Sequence, residues 1–435
     1  MNNHSSNAGT LAAKNIRFNR NPFMNRSKED TVVDNIPIEL RIATYIFIFS
    51  TPWQAIGIER DIFAELSVSK LAGGIFFLMF VFYGKFRINN IKTGQSLILI
   101  YLGFAIAHSG FLYYSGIAKD SYWEISAIYT LGQLIVLYLV LSVVLQDKRT
   151  VSGSIYAMII SYVSVVAISW KEVFEFRISS EDRLMLFGEN SNNLGVSLAI
   201  IINTLLSLIL SNKIKTRNLK LISAFSIVIL AIALMATGSR GAILTLIIGI
   251  VLNAILYLRR GSVLLYSFYF TAIVLILYYV IIGSELMLTR INQSTVGGDT
   301  GFRIELLISG FDLFKDQPLF GWGTGYMARL ARVSGYRGDI ISAHNTFLQV
   351  LLEHGLIGFV IFIMGISFSI YASLKWRRDG LKYTPFILLM SILAGGITKG
   401  WAYNKMSWVV FAIANSYVIV KSSRRNTPKH IVRKL

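Results

Sequence analysis

Residues 242–258 read AILTLIIGIVLNAILYL, a run without a single Asp, Glu, Lys or Arg. A helix of this length and composition matches the ~30 Å hydrocarbon core of a bilayer. A barrel strand would alternate apolar and polar residues, and this stretch does not alternate. Working outward, comparable runs fall near 41–57, 69–84, 94–115, 122–145, 152–170, 193–211, 219–237, 263–283, 356–374, 383–398 and 404–420. The whole chain has the same character: 54% of residues are hydrophobic, 15% are charged, and the mean hydropathy is +0.58. Such a balance excludes an ordinary soluble domain. The pattern predicts an all-α integral membrane fold of about twelve transmembrane helices over 41–420, between a polar tail at 1–40 and a basic tail at 421–435.

The net charge of +19 is distributed by side. With the N-terminal tail placed in the cytoplasm, alternating spans put Lys85, Arg87 and Lys92 in an inner loop, then Lys148 with Arg149, then Lys213, Lys215, Arg217 and Lys220. Arg259, Arg260, Lys375, Arg377, Arg378 and Lys382 follow on the same side, as does the C-terminal tail. This is the positive-inside bias. It predicts a multi-pass protein of the bacterial inner membrane with both termini cytoplasmic. The charge is therefore a topology signal and an attraction to anionic membrane lipids, and no nucleic acid is expected as a partner. The chain has no cysteine, so disulfides and thiolate metal sites are excluded. Carboxylates collect in the outer loops, among them Glu59, Asp61, Glu172, Glu175 and Glu189. One outer loop, 284–355 between the ninth and tenth spans, has room for extramembrane structure.

Three outer-face motifs carry chemistry. In Thr237-Gly238-Ser239-Arg240-Gly241-Ala242, Ser239 is a helix cap and Arg240 falls in the first turn. A cation at the positive end of a helix is out of place unless an anion accompanies it, although a snorkelling interfacial arginine reads the same way. In Gly301-Phe302-Arg303-Ile304-Glu305, Arg303 opens a segment whose Phe302, Leu306, Ile308 and Phe311 predict an amphipathic helix along the membrane; a surface pairing of Arg303 with Glu305 is equally open. The glycines of Pro318–Gly325 predict tight turns close to another element. In Ser342-Ala343-His344-Asn345-Thr346, Ser342 as a cap would put His344 in the first helical turn, where a neutral imidazole is favoured. A structural hydrogen-bonding histidine is the competing reading. Together, two arginines and a histidine on one face suit a reaction with a diphosphate leaving group. No Asp-x-Asp pair suggests a metal, and no cofactor is expected.

The stretches TGSRGA at 237–242, GFRIELL at 301–307, PLFGWGTGY at 318–326 and HNTFLQVLLEHGLIG at 344–358 resemble the O-antigen ligase and O-antigen polymerase superfamily of bacterial membrane glycosyltransferases. The resemblance covers about 192–375. It implies a GT-C-like fold and a metal-independent, inverting transfer from an undecaprenyl-diphosphate-linked glycan donor. The acceptor would be lipid A–core or a lipid-linked saccharide. By the same resemblance Arg240 and Arg303 grip the diphosphate and His344 acts on the acceptor hydroxyl. Arg183 and Asn192, in RLMLFGENSNNLG at 183–195, and Asn345 are secondary substrate-binding candidates; Ser191 stands where an aspartate is common in the family. Ligase and polymerase are not separated. A polysaccharide transporter or flippase is the contrasting reading, disfavoured by the scarcity of ionisable residues within the spans, where His108 is the main exception. A protein O-oligosaccharyltransferase is the related enzymatic one.

Overall fold

The computed structural model describes residues 36–53, 67–84, 91–116, 121–178, 183–187, 189–257, 271, 302–336, 338, 341–378 and 380–416. Among these residues the regular structure is helical. The first helices are α1 (Ile38–Ser50), α2 (Val68–Tyr83), α3 (Thr93–Tyr114), α4 (Ser121–Val144), α5 (Lys148–Ile168) and α6 (Trp170–Ile178). Then come α7 (Ser191–Leu210), α8 (Arg217–Ala236), α9 (Arg240–Tyr257), α10 (Arg303–Asp316) and α11 (Tyr326–Ser334). The last three are α12 (Thr346–Lys375), α13 (Thr384–Gly396) and α14 (Lys405–Asn415).

Seven described helices, α3, α4, α5, α7, α8, α9 and α12, are long and apolar enough to cross a membrane. The expectation of about twelve spans rests for the rest on shorter helices and on residues outside those described. Helices α2 and α13 are apolar but shorter, and α1 and α14 span 13 and 11 residues. The predicted span at 263–283 lies outside the described residues.

Helix α7 is the most enclosed of the long helices: 83% of its apolar window is buried, against 33–50% for the others. It packs against α8, α9 and α13. Where lipid would otherwise surround every helix, small residues and polar side chains decide which helices meet. Gly249 of α9 leaves the space that Asn203 of α7 fills, and Asn203 donates to Thr245 O at 3.1 Å and to Ser391 Oγ at 3.2 Å. Asn253 of α9 returns a bond to Asn203 O at 3.2 Å. One asparagine thus ties three helices together, and each of its bonds is made where water is absent.

Helix α12 packs along α3, but it is broken. Gly355 adopts φ 60° and ψ −164° inside it, a conformation that only glycine takes readily. The break leaves backbone groups unbonded, and the segment 318–322 supplies their partners. Trp322 N donates to Leu352 O at 2.7 Å, Leu356 N to Pro318 O at 2.8 Å and Ile357 N to Leu319 O at 3.2 Å. Gly321 (φ +74°) lies against this crossing, where a β-carbon would stand 2.6 Å from both Gly355 N and Leu352 O. Within the Pro318–Gly325 stretch Gly321 therefore marks a close approach to the broken helix, whereas a β-carbon on Gly323 would stand 2.9 Å from Leu112 of α3.

Helix α10 differs from its predicted face. Leu306, Gly310 and Leu313 are its buried positions, whereas Ile308 and Phe311 are exposed beside Ile304 and Leu307. Both faces are apolar. One packs with Tyr326, Leu330, Leu348 and Leu352 in a small second core, and the other remains open, as suits a helix resting at a lipid surface. Pairing by periodicity alone could not tell the two faces apart.

Candidate functional site

The predicted site residues sit on helix starts and on the loops that join them. Asn190 caps α7 by accepting from Asn192 N, and Asn345 caps α12 by accepting from Phe347 N and Leu348 N at 2.9 and 3.0 Å. Ser239 Oγ accepts from Ala242 N at 3.3 Å at the start of α9, and Asn404 Oδ1 accepts from Met406 N at 2.9 Å at the start of α14. These starts are neighbours. A β-carbon on Gly195 of α7 would lie 2.7 Å from Thr237 Oγ1 and 2.9 Å from Ser239 Cβ. One on Gly241 of α9 would strike Thr398, in the loop between α13 and α14. That loop reaches α12 in turn: Thr346 Oγ1 donates to Lys399 O at 2.7 Å and accepts from Trp401 N at 3.0 Å. Helix N-termini gathered in this way present partial positive charge toward one region, which favours a bound anion.

Arg183 is brought to the same place. Its Nε donates to Thr237 O at 2.9 Å and its guanidinium donates to Asn192 Oδ1 at 2.7 Å, while Leu184 N bonds Ala236 O. Arg183 and Asn192 therefore brace the turn that presents Arg240. Arg240 is the first residue of α9 and is half-buried.

His344 does not lie in the first turn of α12 as the Ser342 cap predicted. Asn345 takes the cap, and His344 precedes it in a left-handed conformation, φ 47°, which costs a non-glycine residue free energy. Ser342 instead accepts from His344 N at 3.4 Å. Helix α10 brings Arg303, its first residue, into electrostatic reach of His344. Desolvation by the surrounding protein, and then the Arg303 charge, lower the imidazole pKa from 6.5. His344 is thus held neutral near pH 7, partly enclosed by protein while the residue as a whole keeps some exposure. Neutral imidazole is the form that accepts a proton.

Near the site, Lys399 was not singled out by the sequence reading, and Glu189 was read only as one of the outer-loop carboxylates. Lys399 is 8% exposed, and burial lowers its pKa to about 8, partly offset by Glu189. Glu189 is raised by burial and lowered by Lys399, so the two charges act on one another between the 183–190 and 397–404 segments. A signal existed in the sequence: Lys399 is a cation in a short outer loop, against the charge bias of the rest of the chain. Among the described residues no group of three or more His, Cys, Asp or Glu side chains comes together as a metal site.

A family model described as O-antigen ligase matches residues 225–363. Over that stretch the chain is similar to the O-antigen ligase family. The match runs from within α8 to just past the break in α12 and includes Arg240, Arg303 and His344, whereas Arg183 and Asn192 lie before it. A comparison with curated proteins found no match. The matched interval thus holds Arg240, Arg303 and His344, and the 183–195 and 397–404 segments that brace them come from outside it.

Proposed function

We propose that this O-antigen ligase-like membrane enzyme transfers a glycan from undecaprenyl diphosphate to a saccharide hydroxyl at the extracytoplasmic face of the inner membrane. The observation that carries the reading is that the Arg303 charge acts on His344, just before the start of α12 and beside the clustered helix starts: a cation and a neutral base in a region where anions are favoured. The acceptor hydroxyl gives its proton to the free imidazole nitrogen of His344, and its oxygen attacks the anomeric carbon of the donor sugar. The bond from that carbon to the diphosphate oxygen breaks as the new glycosidic bond forms, on the opposite side, so configuration inverts. The electron pair leaves with the lipid diphosphate, whose growing negative charge Arg240 and Arg303 hold. Arginines fit this role because the planar guanidinium bonds phosphate oxygens in pairs. Arg183 and Asn192 act through the Thr237–Arg240 turn, and Asn345 through the start of α12.

The test is genetic and biochemical together. Arg240→Ala and His344→Ala are expected to abolish surface polysaccharide assembly while the protein stays in the membrane at normal abundance; full assembly in both variants would end the proposal. The deletion strain separates the two acceptors. Loss of every polymer band from lipid A–core, with lipid-linked polymer accumulating, means ligase, and survival of one capped repeat means polymerase.

A further inference from the structure

Beneath the loop that carries His344, helix α12 buries a carboxyl that the proposed reaction does not use. Glu353 is 1% exposed and lies about two turns inside the helix, where an ionisable side chain is costly and is kept facing protein partners. Gln349, about one turn nearer the start of α12, donates from Nε2 to Glu353 Oε1 at 2.9 Å. His354 Nε2 stands 3.7 Å from Glu353 Oε2. Tyr101 of α3, Tyr326 of α11 and Tyr403 of the 397–404 segment all lie in the field of the same carboxyl.

The side chains around Glu353 also hold the residues on either side of His344. Tyr326, fully buried, accepts from Ala343 N through its hydroxyl at 3.4 Å. Gln349 N donates to Asn345 O at 2.8 Å. The Gln349 amide oxygen and the Ser342 hydroxyl both stand against Gly400, where a β-carbon would lie 2.6 Å from Gln349 Oε1 and 3.4 Å from Ser342 Oγ. Ser342 in turn accepts from His344 N. His344 itself is in the left-handed region at φ 47°, a conformation that persists only where the surroundings over-determine it. Helix α11 packs on α10 as well, so the element that supplies Tyr326 also supports the helix that begins with Arg303.

We infer that Glu353 is a positioning residue for His344: by fixing Gln349, with Tyr326 beside it, the buried carboxyl holds the 342–345 loop so that the imidazole keeps its strained place at the site. Glu353 touches no substrate in this role. A hydrocarbon side chain in its place would fill the space but leave the Gln349 amide without its acceptor, and a buried donor so deprived turns toward another partner. Gln349 would then leave Gly400 and Ser342, and the loop would relax. The inference rests on the assignment of His344 as the base, but its first readout does not depend on the reaction.

The test follows His344 directly. Diethyl pyrocarbonate modifies neutral imidazole, and peptide mapping by mass spectrometry of the full chain in detergent reads His344 separately, so the pH dependence of its modification gives its midpoint. In the native protein that midpoint is expected below 6.5. In Glu353→Met the loosened loop lets water reach His344 and draws it from Arg303, and the midpoint should rise toward 6.5. In turnover the same variant should lose about ten- to a hundredfold in kcat with KM for the lipid-linked donor unchanged, since a misplaced base costs rate rather than donor binding. Gln349→Met should give the same shift and the same split, and the double variant no more than either alone. Glu353→Gln, whose side-chain oxygen can still accept from Gln349, should restore both values. An unmoved midpoint in Glu353→Met and Gln349→Met overturns the inference. So does a downward move, which is what loss of a negative charge alone would cause, or a Glu353→Gln variant as impaired as Glu353→Met. If Glu353→Met fails to fold, Tyr326→Phe reaches the loop from α11 and should raise the midpoint by less; no shift there overturns the inference as well. An active His344→Ala with the midpoint moving as expected would end the reaction reading and leave the loop-holding role of Glu353 standing.

Discussion

Helices α9 and α12 begin side by side at the same loop, yet they begin differently. The first follows a turn closed by Thr237 and Ser239, puts Arg240 in its first position and runs unbroken to Tyr257. The second is capped by Asn345, carries His344 just outside in a left-handed conformation, and breaks at Gly355. One start presents a cation and the other a base kept neutral by desolvation and then by a neighbouring cation. The contrast shows how similar local devices, a cap and a helix dipole, serve opposite electrostatic ends according to which residue stands at the boundary.

Removing either functional group should have the largest effect. His344→Ala is expected to lower transfer by about 10²–10⁴-fold, the usual contribution of a general base, and Arg240→Ala to lower it comparably, both read as product formed by purified enzyme from a lipid-linked donor. If only one of the two mattered, the pairing of the two helix starts in one site would fail. Next comes the break. Gly355→Ala places a methyl group against Leu319 O in a backbone conformation that alanine avoids, so the yield of folded protein on size exclusion should fall sharply, whereas Gly249→Ala in unbroken α9 should disturb only the Asn203 contacts.

A subtler change tests the electrostatics. The acid limb of the pH–rate profile should lie below pH 6.5, because activity needs neutral His344 and its pKa is lowered. Arg303→Gln removes a positive charge beside the imidazole, so the proton binds more readily and the limb should move to higher pH, whatever the loss in rate. A limb that stays in place would show that Arg303 does not act on His344. The smallest effects belong to the caps. Asn345→Ala removes two short bonds and should cost about 1 kcal/mol of stability; Ser239→Ala removes one long bond and should cost less, both measured by thermal unfolding in detergent.

Much of this arrangement was legible beforehand. Apolar run length and loop charge locate the long helices, and Ser239 is recognisable as a cap because the turn before α9 offers few alternatives. The start of α12 was not legible in the same way. Ser342 and Asn345 are both good caps, and the choice is made by Thr346, whose hydroxyl bonds Lys399 and Trp401 more than fifty residues along the chain. The faces of α10 failed to separate because hydrophobic periodicity registers burial in protein and exposure to lipid alike. The electrostatic influence between Lys399 and Glu189 escaped because it acts between two segments with no motif of their own.

The backbone crossing of Gly321 and Gly355 has a metrical consequence. From Thr346 to Gly355 the chain is a helical ruler about 14 Å long, at ~1.5 Å per residue, with His344 just beyond one end and a bonded anchor point at the other. One residue inserted between them would rotate the histidine by about 100° around the helix axis. Extra residues between the end of α11 at Ser334 and Ser342, by contrast, would fall outside this ruler. Related chains that keep this chemistry should therefore vary freely in the second interval and hold the first to a constant length.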